Sequence, residues 1–136
     1  MAEYIEPEEL AALLQDPTKK AKQDYLVIDV RSDDYPGGHI PNGVNIPAGQ
    51  FRDYTNYLLT NYAQVPVIVV HCALSQVRGP KVARILREAL ASHNAAQGLT
   101  PAPSQVRVLR GGITRWIYHY HNNPALVTDY QPDLWQ

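Results

Sequence analysis

The residues most able to do chemistry in this sequence are a cysteine and an arginine with five residues between them, Cys72 and Arg78. They follow an apolar segment typical of a buried strand and precede Gly79-Pro80, where a helix is predicted to begin. A loop that enters a helix can turn several backbone N–H groups inward, and the helix dipole adds positive potential there. We expect a nucleophilic thiolate beneath a bound tetrahedral anion, two of whose oxygens Arg78 grips. The pattern favours phosphoryl transfer through a cysteinyl-phosphate.

The same cysteine also has a purely structural interpretation. A free cysteine at the end of an apolar strand is most often a small buried hydrophobic residue. Cys-x5-Arg by itself is a weak pattern, and its place between a strand and a helix start is what favours catalysis. The chain has one cysteine, which excludes an internal disulfide and a zinc site built on several cysteines. Nothing else in the sequence indicates a metal or an organic cofactor, and we expect neither.

The composition excludes several other kinds of protein. The 136 residues suit a single domain, 1–136, and 45% of them are apolar, enough for a hydrophobic core. With 12 basic and 13 acidic residues the net charge is −1, which argues against a nucleic-acid partner. The longest apolar run, residues 65–70, is far shorter than the roughly 20 residues that span a bilayer. Because the first residues are also unlike a signal peptide, we expect an intracellular protein, in the cytoplasm or the nucleus, without a membrane partner.

Alternating strands and helices are predicted to position the reactive loop. Continuous apolar runs indicate strands that are covered on both faces, and these strands are expected at 25–30, 44–46, 66–70 and 106–109. The spacing of apolar residues predicts helices at 7–14, 51–62, 79–93 and 114–120. A loop is expected at 94–104 and a turn at 111–112, while 122–136 shows no clear period. The prediction is an α/β domain with a central, mostly parallel sheet flanked by helices on both faces.

Several segments resemble the rhodanese-fold dual-specificity phosphatases of the cell-division-cycle type, and their small fungal and protozoan relatives, which include arsenate reductases. The similar segments are 27–31, 38–47, 71–80 and 108–116, and the ending 130–135 is similar to the tails of the small fungal phosphatases. The resemblance implies a rhodanese-like fold, with Cys72 as the nucleophile and Arg78 as the clamp on the oxyanion. The residues that it implies as the backbone cradle for the substrate are Ala73, Leu74, Ser75, Gln76 and Val77.

Supporting roles follow from the same resemblance. Asp29 and Arg31 match an Asp-x-Arg element that ties the sheet of this family to neighbouring loops. His71 precedes the nucleophile as in the family, and the expected role is to fix the loop rather than to act as a base. Ser75 matches a serine of the family loop whose hydroxyl can hydrogen-bond to the thiolate or to the anion.

The sequence also departs from this family in one respect that bears on mechanism. Ala73 stands where the larger cell-cycle enzymes carry a glutamate that has been proposed as the general acid. The proton donor for the leaving group is therefore not assigned by the resemblance. Asp33, Asp34 and the phosphate itself are the candidates.

Four functions are compatible with these observations. The first is a phosphatase for phosphotyrosine-like or aryl phosphates, including phosphoproteins. The second is an arsenate reductase, because arsenate has the charge and shape of phosphate; it would need external glutathione or glutaredoxin, since Cys72 has no partner cysteine. The third is a thiosulfate sulfurtransferase, for which the resemblance implies a loop one residue shorter. The fourth is a non-catalytic binding module, which would need neither Cys72 nor Arg78. Ser75-Gln76 and the tail favour the phosphatase.

Overall fold

Parallel strands form the centre of the molecule. The computed structural model describes residues 3–98 and 104–135. In this part of the chain the strands are β1 (Tyr4–Ile5), β2 (Tyr25–Asp29), β3 (Val44–Asn45), β4 (Val67–His71) and β5 (Gln105–Leu109). They pair in parallel in the spatial order β1-β5-β4-β2-β3. The carboxyl ends of the strands therefore meet at one edge of the sheet, where sites are usually built in such folds.

Helices cover both faces of this sheet. In the described residues they are α1 (Pro7–Gln15), α2 (Phe51–Tyr62), α3 (Arg78–Ala96) and α4 (Gly112–Tyr120), with short 3-10 helices at Ala48–Gln50 and Pro132–Trp135. Ile28 and Val70 pack in one hydrophobic core with α2 and α3. Their neighbours Val27 and Val69 belong to a second core with α1 and α4. This alternation shows that β2 and β4 are buried on both faces, and it confirms the predicted α/β architecture.

Two elements differ from the sequence predictions. β1 was not predicted, because two residues are too few to show a period, and it forms by pairing Tyr4 and Ile5 with β5. The predicted loop 94–104 is wrong at its start, since α3 continues to Ala96. There Asn94 is fully buried and its side chain donates to the carbonyl of Leu90, so a polar residue that suggested a loop is accommodated within the helix. Residues 99–103 of the predicted loop lie outside the described residues.

The register of the central strands sets up the site. β2 and β4 are neighbours, and their last pair aligns Asp29 with His71. Cys72 follows β4 directly, and Arg31 comes two residues after β2. The sheet therefore brings the residues of the Asp-x-Arg element and the nucleophile candidate to one edge. Within the described residues, every helix is too short or too polar to cross a bilayer.

Candidate active site

The Cys72 sulfur lies at the amino end of α3. Although this residue is only 3% exposed, its Sγ accepts hydrogen bonds from the backbone N–H groups of Ser75, at 3.2 Å, and Gly79, at 3.3 Å. Gly79 is in the first turn of α3, where backbone N–H groups have no partner within the helix. The sulfur therefore lies against two backbone N–H groups and the positive end of a 19-residue helix. The thiol is thus buried in a polar cradle and not only in the hydrophobic core.

The loop between Cys72 and Arg78 turns its backbone toward the sulfur. Ser75 adopts a left-handed conformation with φ of 57°, which brings its N–H group to Sγ. Its hydroxyl accepts a hydrogen bond from the Cys72 N–H at 3.4 Å and so braces the loop. Leu74 and Val77 point their side chains to the exterior and are exposed. The expected cradle therefore rests on backbone groups and on one buried serine.

The amino end of α4 holds the outer side of the same loop. The N–H of Ile113 donates to the carbonyl of Cys72, and the N–H of Thr114 donates to the carbonyl of Ala73, each at 3.0 Å. With its carbonyls bound to α4, the loop keeps its N–H groups on the side of the sulfur. Gly112 makes this approach possible, because its φ is 62° and a Cβ there would lie 2.6 Å from the carbonyl oxygen of Cys72.

Replacing Gly112 by alanine is expected to damage both stability and activity. The left-handed backbone and the steric clash together should cost at least about 2 kcal/mol of unfolding free energy. The loop should shift, and a misplaced nucleophile can lower kcat/KM by about 10²-fold. Urea unfolding and aryl phosphate hydrolysis measure the two effects. Gly49→Ala is the matched control, because a Cβ placed there would meet open space; similar values for the two variants would contradict this account.

Arg78 begins α3 and forms an ion pair with Asp34, which lies in the loop after β2. Asp34 Oδ1 accepts from Nη1 at 3.1 Å, and Oδ2 accepts from Nη2 at 2.6 Å. These hydrogen bonds hold the pKa of Asp34 down to about 2. The pKa of Arg78 lies above its ordinary value, first because of Asp34 and also because of the Cys72 sulfur nearby. In the free protein Asp34 is ionised at neutral pH and has no proton to donate.

A buried network connects the sheet to these loops. Arg31 is fully buried, and its Nε and Nη2 donate to the carboxylate of Asp29 at 2.7–3.1 Å. Its remaining groups donate to the backbone carbonyls of Asp34 and Gly38. Nδ1 of His71 lies 3.4 Å from the carbonyl oxygen of Cys72, and burial lowers the pKa of this histidine. Asp29, Arg31 and His71 thus lie behind the loop, where the sequence predicted supporting roles.

Replacing Asp29 by asparagine is expected to cost about 3–5 kcal/mol of unfolding free energy, because it leaves a buried guanidinium without its counter-charge. Burial alone would raise the pKa of Asp29, but His71 and Arg31 outweigh it and hold this pKa below its ordinary value of 3.8. A lowered pKa adds stability above pH 3.8 that is lost as the pH falls through the folded-state value.

Urea unfolding at neutral pH and at decreasing pH below 4 tests both statements about Asp29. The wild-type protein should lose stability more steeply in acid than Asp29→Asn. Asp133→Asn removes the same charge from an exposed position and serves as the control. If Asp29→Asn were as stable as Asp133→Asn, the fold would not depend on the buried Asp29–Arg31 pair.

A cavity of about 370 Å³ opens beside the loop. Its walls combine apolar side chains with acidic and polar ones, and the lining residues are Arg31, Asp33, Asp34, Pro36, Ala73, Ile113, Thr114, Leu134 and Trp135. Trp135 is held in place because its Nε1 donates to the carbonyl of Gly37 at 2.9 Å. Ala73 is the residue of the Cys72–Arg78 loop that lines this cavity, so the cavity adjoins the loop.

Sequence reasoning missed three features of this site. These are the Asp34–Arg78 pair, the carbonyl contacts of α4, and the wall formed by Trp135. The pair joins residues 44 positions apart, so spacing along the chain gives no signal for it. Gly111-Gly112 was the one available signal for the α4 contact, since consecutive glycines mark a turn or a close backbone approach. Among residues 3–98 and 104–135, no group of three or more His, Cys, Asp or Glu side chains could hold a metal ion.

Comparison with known proteins identifies the family. Residues 6–119 match the family model of the rhodanese-like domain, and the chain therefore belongs to the rhodanese-like family. Within it, this chain groups with the small CDC25-like phosphatases, as the resemblance in the sequence predicted. It is 31% identical to CDC25-like phosphatase YCH1 of Saccharomyces cerevisiae, over 98% of this chain and 93% of the relative.

Solved structures agree with this placement. The crystal structure of S. cerevisiae Ygr203w, described as a homolog of single-domain rhodanese and the Cdc25 phosphatase catalytic domain, has a TM-score of 0.80 at 31% identity. The match covers 99% of this chain and 92% of the yeast chain. An As-Sb reductase from Leishmania major has a TM-score of 0.68 at 32% identity, with 93% of this chain and 85% of the other matched. The rhodanese-like fold is therefore confirmed.

Proposed function

We propose that the chain is a cysteine-dependent phosphatase of the tyrosine or dual-specificity type, which hydrolyses phosphomonoesters with Cys72 as the nucleophile. The observation that carries this proposal is the environment of the Cys72 sulfur. It accepts hydrogen bonds from two backbone N–H groups at the amino end of α3, and Arg78 lies nearby. The similarity to a CDC25-like phosphatase along nearly the whole chain supports it.

The reaction proceeds in two displacements. The Cys72 thiolate attacks phosphorus, an S–P bond forms, and the P–O bond to the leaving group breaks. The departing oxygen takes the proton that the phosphate monoanion carries, since Asp34 is ionised in the free protein and has none to donate. Water then attacks the cysteinyl-phosphate, the S–P bond breaks, and inorganic phosphate leaves with the thiolate restored. The inward N–H groups and the Arg78 guanidinium stabilise the negative charge on the phosphoryl oxygens in both steps.

Aryl phosphates, including phosphotyrosine, are the substrate class that the cavity suits. Its volume falls in the range of pockets that bind small ligands, and the side chains of Pro36, Leu134 and Trp135 offer apolar surface to an aromatic ring. The rim carries Asp33 and Asp34, so a second anionic group on the substrate would be disfavoured.

Arsenate reduction is the second candidate, favoured by the similarity to the As-Sb reductase of L. major. Arsenate would occupy the same cradle and form an arsenic–sulfur bond to Cys72. Its reduction to arsenite takes two electrons, and two molecules of glutathione, or glutaredoxin with glutathione, would supply them and end as a disulfide. The external thiol is required because this chain has a single cysteine.

A side-by-side assay of the purified protein separates these functions. The three reactions are hydrolysis of p-nitrophenyl phosphate, reduction of arsenate with glutathione and glutaredoxin, and sulfur transfer from thiosulfate to cyanide. We expect a strong response to the aryl phosphate. A response to arsenate alone would replace the phosphatase by the reductase, and a response to thiosulfate alone would overturn both. If all three reactions fail while phosphate still binds, the chain is a binding module.

A further inference from the structure

We infer that Asp34 is a positioning residue, which holds the Arg78 guanidinium at the loop by one edge and leaves another edge to bind the substrate. This inference rests on the proposed phosphatase function. It assigns Asp34 a role different from the proton donor that the sequence allowed.

The geometry of the pair carries the first step. Asp34 takes one hydrogen bond from Nη1 and one from Nη2 of Arg78, so it occupies the end of the planar guanidinium. A guanidinium has five N–H groups, and this arrangement leaves Nε–H and the outer Nη–H groups. The side edge, formed by Nε and one Nη, can still bind two oxygens of a tetrahedral anion. Carboxylate and substrate therefore need not compete for the same edge.

The position of Asp34 is itself fixed by the fold. Its backbone carbonyl accepts from Nη1 of Arg31 at 3.0 Å, and its Oδ1 also accepts from the N–H of Ser32 at 3.1 Å. Arg31 is fully buried and is bound to Asp29 at the end of β2. A continuous set of hydrogen bonds thus runs from β2 through Arg31 and Asp34 to Arg78. A long, flexible side chain held in this way is already ordered before the substrate binds.

The charges around Arg78 support positioning rather than competition. Asp34 raises the pKa of Arg78 most, and the Cys72 sulfur raises it as well, so the guanidinium lies near both groups at once. The side chains of Arg78 and Asp34 are 35% and 42% exposed, so this pair contributes little to global stability. Its effect should appear in catalysis.

The test uses Asp34→Asn with two substrates, phenyl phosphate and p-nitrophenyl phosphate, which differ in how much their leaving groups need a proton. A positioning role lowers kcat/KM about tenfold for both, the scale of coupling between contacting residues. Inorganic phosphate, measured by calorimetry, should bind more weakly, and the pH profile should keep its shape. Asp34→Glu, which retains the carboxylate, should recover part of the loss. Asp53→Asn removes a charge from the exposed side of α2 and is the control.

The combination with Arg78→Lys decides whether Asp34 acts through Arg78. In that background Asp34→Asn should change kcat/KM by less than about twofold, because the fork that Asp34 orients is gone. Tighter phosphate binding or faster hydrolysis by Asp34→Asn would overturn the inference and make Asp34 a competitor. A loss confined to phenyl phosphate would overturn it in favour of a proton donor. If the wild-type protein hydrolyses neither ester, the proposed function fails, while phosphate binding still tests the position of Arg78.

Discussion

Cys72→Ser is expected to abolish hydrolysis of p-nitrophenyl phosphate while phosphate binding remains. Serine keeps the size of the side chain and an acceptor atom for the N–H groups of Ser75 and Gly79. A neutral hydroxyl without an adjacent base is a poor nucleophile at neutral pH. The rate should therefore fall by roughly 10⁴-fold or more, the scale on which removal of a nucleophile acts elsewhere. Steady-state kinetics measure the loss, and calorimetry with inorganic phosphate measures binding.

Two further measurements make the Cys72 test specific. Acid quenching of the wild-type reaction should trap a phosphoryl group on the peptide that contains Cys72, and mass spectrometry can locate it because the chain has no other cysteine. The melting temperatures of the wild-type protein and Cys72→Ser should be similar, which excludes unfolding as the cause. Hydrolysis by Cys72→Ser at the wild-type rate would show that the sulfur is not the nucleophile.

The sequence predicted the parts of this fold that depend on local patterns. The β-branched run in β4 and the continuous apolar run in β2 are each long enough to show that both faces are buried. Cys72 lies between β4 and α3 in the sequence, so predicting these elements also predicts that it lies at the edge of the sheet where the parallel strands end. The spacing of apolar residues also gave the bounds of α2 correctly, at Phe51–Tyr62.

The remaining features depend on contacts between segments far apart in the chain. Trp135 reaches the cavity because the tail folds back on the loop after β2, where Gly37 accepts hydrogen bonds from Trp135 and Gln131. No periodicity in residues 122–136 indicates such a fold-back. The Asp34–Arg78 pair also gives no sequence signal. Three acidic residues lie close together in the sequence, at 29, 33 and 34, and only the structure shows which of them contacts the arginine.

The contacts around the sulfur are made mostly by backbone groups, so few side chains are needed to build the cradle. The sulfur is stabilised by N–H groups of Ser75 and Gly79, and the loop carbonyls are bound by α4. Such groups are present whatever the side chains are, provided that the backbone follows the same path. Specificity for phosphate over other anions must then come from the side chains beside the loop, and the Arg78 guanidinium is a planar cation that can bind two oxygens at once.

Arg78→Lys is expected to lose most of the activity although it keeps the positive charge. A lysine ammonium is a single point charge and cannot hold Asp34 and two phosphoryl oxygens in fixed directions at the same time. The loss in kcat should be about 10²-fold, the scale of removing one donor to a developing oxyanion. Arg84→Lys, an exposed position on the same helix, controls for the substitution itself. Unchanged kinetics in Arg78→Lys would mean that charge alone suffices, and neither the oxyanion clamp nor its orientation by Asp34 would then be needed.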